Sequence, residues 1–232
     1  MLKNYPDWTK AINKEGYVFI MTFSVITFLI GSANSGLGSV CFAATIWCVY
    51  FFRDPVRIVP QSTELVTSPA DGIVQSISIV SPPLELGIKD EEMTRVSIFL
   101  NLLNVHVNRV PVAGKIKKLH YNPGKFFNAS LDKASIHNER QLIVMETETK
   151  HEIAFVQIAG LISRRIVCDL EEGMNVSLGD RFGIIRFGSR LDVYLPKNID
   201  ILISPGQTAV AGETIIANLK NTKLPKHTFT PK

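Results

Sequence analysis

Charge is missing from one long stretch of this chain: between Glu15 and Arg53 there is no Asp, Glu, Lys or Arg. Cysteine is scarce as well, with Cys41, Cys48 and Cys168 alone and no Cys-x-x-Cys pair, so neither a disulfide framework nor a zinc site is indicated. The histidines at 106, 120, 137, 151 and 227 show no HxxxH or HExxH spacing, so no catalytic metal is expected. A Walker-type phosphate loop and a dinucleotide fingerprint are both absent, and no glycine-rich turn offers the lysine that a lipoyl or biotinyl carrier needs. The net charge of +4 is too weak for a nucleic-acid binder, though it suits an anionic membrane surface.

The uncharged stretch contains two apolar runs, 17–30 and 40–52, joined by a segment rich in Gly, Ser and Asn at 31–39. Each run is nearer to 14 residues than to the roughly 20 of a full membrane crossing. A signal peptide is disfavoured by the second run and by the lack of a small-residue cleavage pattern. A buried hairpin in a soluble protein stands as the other reading. Lys3, Lys10 and Lys14 precede the runs and Arg53 and Arg57 follow them, which places both ends on the cytoplasmic side of a re-entrant hairpin or two short tilted spans. Trp8, Tyr17, Trp47 and Tyr50 suit the interface.

Beyond the proline-containing linker RDPVRIVP (53–60), the pattern is that of β-structure. Strands are expected at 73–80, 96–100 and 153–158, and two apolar runs flanking the polar stretch 146–152 read as a hairpin. Glycines at 173, 179, 183, 188, 206 and 212 punctuate short β-branched runs and predict tight turns. PADGIV (69–74) echoes PVAGKI (111–116), and GDRFGII (179–185) echoes GETIIA (212–217), which suggests similar hairpins in a small barrel or sandwich. The expected fold class is therefore mainly β (α+β), with an N-terminal apolar helical hairpin. Residues 1–57 would form the hairpin and linker and 58–232 the compact body. A short helix is expected near 129–140 and a loose tail from 221.

Three polar residues stand in unusual settings. Asp71 lies in SPADG (68–72), which is also good turn chemistry. His106 alternates with Val105 and Val107, as a satisfied strand histidine would. The Gly188-Ser189 pair interrupts an apolar strand pattern, where a β-bulge is the ordinary explanation. Taken singly, none of these establishes chemistry.

Together with their surroundings they do more. FFRDP (51–55), SPADGIV (68–74), NVHVNRVP (104–111), NPGKFFNAS (122–130), KASIHNER (133–140), IAGLISRRIV (158–167) and IIRFGSRLDVYLP (184–196) resemble the short bacterial subfamily of phosphatidylserine decarboxylases, from about residue 45 to 217. The resemblance implies a proenzyme that cuts itself between Gly188 and Ser189 into a β chain, 1–188, and an α chain, 189–232, which stay associated. Ser189 would become a covalent pyruvoyl group, with no metal and no pyridoxal phosphate, and its ketone would take the substrate amine as a Schiff base before carbon dioxide leaves. His106 would be the base for self-cleavage and the proton donor for decarboxylation, with Asp71 orienting its ring. Larger relatives carry a second histidine where this chain has Arg109, so the division of labour between histidines does not transfer. The implied partners are phosphatidylserine and the cell membrane, with the catalytic body on the cytoplasmic side; homo-oligomer formation is open. Two other functions stay in play: a pyruvoyl decarboxylase of another amine-bearing acid, and a non-catalytic β module tethered to a membrane.

Overall fold

A computed structural model describes residues 11–89, 92–129, 137–161, 165–186 and 189–220. The chain begins with a helical hairpin, α1 (Tyr17–Ala33) and α2 (Ser35–Phe51), entered through a 3-10 turn at Lys14–Gly16. No proline or charge interrupts either helix, so helix formation runs through the 31–39 segment that the sequence suggested as a connector. Asn34 alone makes the turn. Its backbone is extended (φ −150°, ψ 112°) and its Oδ1 accepts from the Leu37 amide at 3.0 Å, capping α2.

The glycines of that segment serve contact rather than looseness. A Cβ on Gly38 would sit 2.5 Å from the Gly31 Cα, so only glycine lets the two helices approach this closely. Farther from the Asn34 turn, the Thr27 and Thr45 hydroxyls meet at 2.9 Å across the hairpin. Each helix has 17 residues, longer than the apolar runs suggested, and spans about 25 Å. Including the entry turn, Lys14–Ala33 is a 20-residue stretch apolar and long enough to cross a membrane. Its outer face is bare of protein: Val18 is 72% and Phe28 75% exposed.

The strands are β1 (Leu65–Thr67), β2 (Gly72–Val80), β3 (Met93–Leu100), β4 (Val107–Arg109), β5 (Gly114–Asn122), β6 (Arg140–Thr147) and β7 (Glu152–Ala159) in the first part. The remainder are β8 (Ile166–Cys168), β9 (Asn175–Val176), β10 (Arg181–Ile185), β11 (Ser189–Pro196), β12 (Asp200–Ile201), β13 (Thr208–Ala209) and β14 (Ile215–Asn218). Among the described residues, eight form one antiparallel sheet in the order β13-β2-β3-β11-β7-β6-β5-β9, curled into a half-barrel. β4-β10-β8 and β1-β14-β12 make two smaller sheets. The expected β-rich body with an N-terminal helix pair is the fold observed. The 129–140 helix and the 221–232 tail fall largely outside the described residues.

β11 is the central strand and is buried on both faces. Leu191, Val193 and Leu195 join the main core with Val96, Ile98, Phe155 and Phe182, while Tyr194 packs on the other side with Met93, Leu142 and Val156. The echoes seen in the sequence are structural. Gly72 and Gly114 each open a strand where a Cβ would strike the backbone of the neighbouring strand, at 2.2 and 2.3 Å. Gly179 and Gly212 both have positive φ, 84° and 76°, and lie against each other. Gly183 departs from the turn pattern: it lies inside β10, where a Cβ would come within 2.1 Å of the Val167 carbonyl oxygen.

Candidate active site

Ser189 is the first residue of β11, held between Leu100 of β3 and Ala159 of β7. It is fully buried, and its Oγ finds no hydrogen-bond partner among the described residues. A buried hydroxyl left unmatched is costly, so its place in the middle of a packed sheet calls for a chemical reason. Gly188, the other half of the pair, lies outside the described residues.

His106 precedes β4. Val107 of that strand pairs with Ile184 of β10, and β10 leads through three residues, 186–188, to Ser189. Within β4, Asn108 receives the Gln157 amide at 2.9 Å, and Gln157 lies opposite Leu191 on the Ser189 face of β11. The small sheet therefore packs on the face of the large sheet that carries Ser189.

The His106 ring is fully buried, with Nδ1 at 2.9 Å from the Asn104 carbonyl oxygen. That oxygen can only accept, so Nδ1 holds the ring proton and Nε2 is left as a bare acceptor, buried and without a partner among the described residues. Phe51, the last residue of α2, stacks on the imidazole with centroids 4.0 Å apart. Burial lowers the His106 pKa to about 4, with the positive Arg53 adding in the same direction and the Asn104 carbonyl opposing. The ring is thus a neutral base at physiological pH.

Asp71 makes no hydrogen bond to this ring in the structure. Its Oδ2 pairs with Arg57 at 2.7 Å and its Oδ1 accepts from the Ala211 amide at 2.8 Å. The expected carboxylate–imidazole contact gives way because a guanidinium and a backbone N–H already use both oxygens, and a local carbonyl serves the histidine. Arg109 is anchored too, donating to the Gly179 carbonyl at 2.9 Å, to the Pro55 carbonyl at 2.9 Å and to Asp54 at 3.3 Å. Burial lowers its pKa to about 10, with Arg181 adding to the effect and Asp54 opposing it, so it remains charged.

A family model for phosphatidylserine decarboxylase matches residues 44–217, three-quarters of the chain and all of the segments just described. The chain belongs to the phosphatidylserine decarboxylase family. It is 61% identical over 231 residues, the full length of both chains, to the phosphatidylserine decarboxylase proenzyme of Rickettsia typhi. The proenzyme of Rickettsia akari is also 61% identical, over 228 residues covering 98% of this chain and 99% of that one.

Within this family member, the segment read from sequence as a linker is a staple. Arg53 donates to the Leu103 carbonyl at 2.8 Å, buried Asp54 pairs with Arg109 and, at 2.6 Å, with Arg181, and Arg57 pairs with Asp71. Sequence reasoning also missed Phe51, although FFRDP lay among the matching strings; an aromatic beside a charged cluster was its only mark. Nor did it single out the fully buried ion pair on the opposite face of β11, where Arg190 Nη2 meets Asp192 Oδ2 at 2.9 Å and Nη1 donates to the Ala129 carbonyl at 3.2 Å. Those contacts fix the strand that begins with Ser189.

Proposed function

We propose that this chain decarboxylates phosphatidylserine to phosphatidylethanolamine, using a pyruvoyl group that it makes from Ser189 by cutting its own backbone after Gly188. The observation that carries the reading is a pair of buried atoms without partners among the described residues, Ser189 Oγ and His106 Nε2; β4, which follows His106, pairs with β10, which leads to Ser189. A hydroxyl without a partner and a neutral, unprotonated imidazole nitrogen are what nucleophile activation needs.

In the first reaction Nε2 takes the Ser189 hydroxyl proton as Oγ attacks the Gly188 carbonyl carbon. The C–N bond breaks, the proton passes to the departing Ser189 nitrogen, and an ester replaces the amide. Removal of the Ser189 α-proton expels the Gly188 carboxylate, and water then displaces the nitrogen as ammonia. Chains 1–188 and 189–232 result and stay together, because β11 is hydrogen-bonded on both sides to strands of the other chain.

In the second reaction the pyruvoyl carbonyl supplies the electron sink that lets carbon dioxide leave a substrate amine joined to it. His106 Nε2, bare at the outset, takes the proton that the substrate ammonium must lose and returns it to the former α-carbon. Phe51 and the packed strands keep bulk water from that atom, and the Asn104 carbonyl keeps the ring turned.

The bare hairpin supports a lipid substrate over a soluble amino acid: residues 1–57 would hold the 58–232 body against the cytoplasmic face of a membrane, where its substrate resides. The test is turnover of phosphatidylserine in mixed micelles by purified protein. Release of carbon dioxide with phosphatidylethanolamine is expected; release from free serine but not from the lipid would overturn the substrate assignment.

A further inference from the structure

The segment that is cut, on the reading above, has a second anchor besides β11. Arg186, two residues before Gly188, forms an ion pair through Nη2 with Glu15 and places its guanidinium 5.1 Å from the centre of the Phe19 ring. Both partners are largely buried, with 17% of the Arg186 and 23% of the Glu15 side chain exposed. Neither Glu15 nor Phe19 belongs to the β body: one lies in the entry turn and the other in the first turn of α1.

That foot of the hairpin is firmly built. The Glu15 amide donates to Asn13 Oδ1 at 3.0 Å, the Asn13 amide donates to the Phe52 carbonyl at 2.8 Å, and Phe19 stacks on Phe52 at 5.4 Å. Gly16 lies so close to Phe52 that a Cβ would meet that ring's Cβ at 2.5 Å. Glu15 is therefore held at a fixed height over the end of β10.

We propose that Glu15 and Arg186 form a latch that positions the Gly188–Ser189 peptide, so that self-cleavage proceeds only when the foot of the apolar hairpin is seated on the β body. From Arg186 to Ser189 the chain has three Cα-to-Cα steps to cross, at most about 11 Å when extended. Fixing both ends of so short a span removes most of the conformations in which Ser189 Oγ points away from the Gly188 carbonyl. An unseated hairpin frees the Arg186 end of that span. The latch makes maturation follow docking of the hairpin's foot on the β body. Glu15 and Arg186 are positioning residues, both in the 1–188 chain, so the pair survives the cut and has no part in the later proton transfers.

The inference rests on self-cleavage at 188–189, and the experiment separates the two. The full-length chain is synthesised in the presence of membranes and the rate of its cleavage is followed for wild type, Glu15→Arg, Arg186→Glu and the double reversal. Each single variant should be cut at least about tenfold more slowly and the double reversal should recover most of that loss. The same substitutions on a Ser189→Ala background should leave the melting temperature unchanged, and carbon dioxide release per matured site should equal wild type. Lys14→Ala, which removes only the exposed contact to Asp169 at 3.0 Å, should be cut at the wild-type rate. Wild-type cleavage in the single variants, slow cleavage that the double reversal fails to restore, or slowing matched by a fall in melting temperature would each overturn the latch. No cleavage in wild type would instead overturn the self-processing on which it depends.

Discussion

The ring of Phe51 lies on the imidazole of His106, 4.0 Å between centroids, so the last side chain of the apolar hairpin is also a wall of the candidate site. The two residues are far apart in sequence and belong to different layers, and Phe51 shares an apolar cluster with Cys48, Phe52, Ile184 and the two chain neighbours of His106, Val105 and Val107. Water kept from the ring by this cluster is the main reason its pKa falls to about 4.

Phe51→Ala should therefore raise the His106 pKa towards its ordinary value of about 6.5. NMR titration of the Ser189→Ala form would show it, and the acid limb of the decarboxylation profile should move upward with it. The same shift has a consequence for stability. A folded-state pKa below the unfolded value means that the unfolded chain binds more protons between the two, so stability falls as pH drops from about 6.5 to about 4, by on the order of 3 kcal/mol in all. Phe51→Ala should flatten that slope; an unchanged titration would show that Phe51 does not control the ring.

Asp71→Ala should leave the tautomer of His106 as it is. The ring is turned by the Asn104 carbonyl at 2.9 Å, while Asp71 is engaged with Arg57 and the Ala211 amide. The nitrogen-15 shifts of the imidazole should still report a protonated Nδ1 and a bare Nε2. A switch of tautomer in that variant would restore Asp71 as the orienting group.

Asp192→Ala should strongly destabilise the fold. It strands Arg190, 1% exposed, in the interior without its carboxylate, and breaking one partner of such a buried pair costs about 3–5 kcal/mol. Chemical denaturation of the uncut Ser189→Ala form measures the loss. A change within about 0.5 kcal/mol, as for a surface site, would mean that the pair does not brace β11.

Much of the body was legible in the sequence because its strands announce themselves locally. The runs at 73–80, 96–100 and 153–158 lie within β2, β3 and β7, and the polar stretch 146–152 falls at the β6–β7 turn, where Lys150 adopts a positive φ of 65°. The hairpin was legible in outline but not in extent: the Gly/Ser/Asn composition of 31–39 suggested a loop, whereas close helix contact at Gly31 and Gly38 is what that composition serves. Contacts between distant segments were hidden. Arg57 with Asp71, Phe51 with His106 and Glu15 with Arg186 depend on how the hairpin docks on the sheets, and no local pattern encodes that docking.

Val25→Lys combined with Phe28→Lys should release the protein from membranes. Both side chains are more than half exposed on α1, at 57% and 75%, and a lysine near the centre of a spanning helix costs about 2.5–3.5 kcal/mol. Sedimentation with vesicles containing anionic lipid is the measurement. Retention equal to wild type would mean that the hairpin face is not in contact with lipid.

The intact mass spectrum of the purified, unmodified protein tests the central claim most directly. The account predicts two chains that meet between Gly188 and Ser189, the smaller one, 189–232, beginning with a pyruvoyl group in place of serine. A single uncut chain from folded protein, or a cut elsewhere with Ser189 intact, would contradict it.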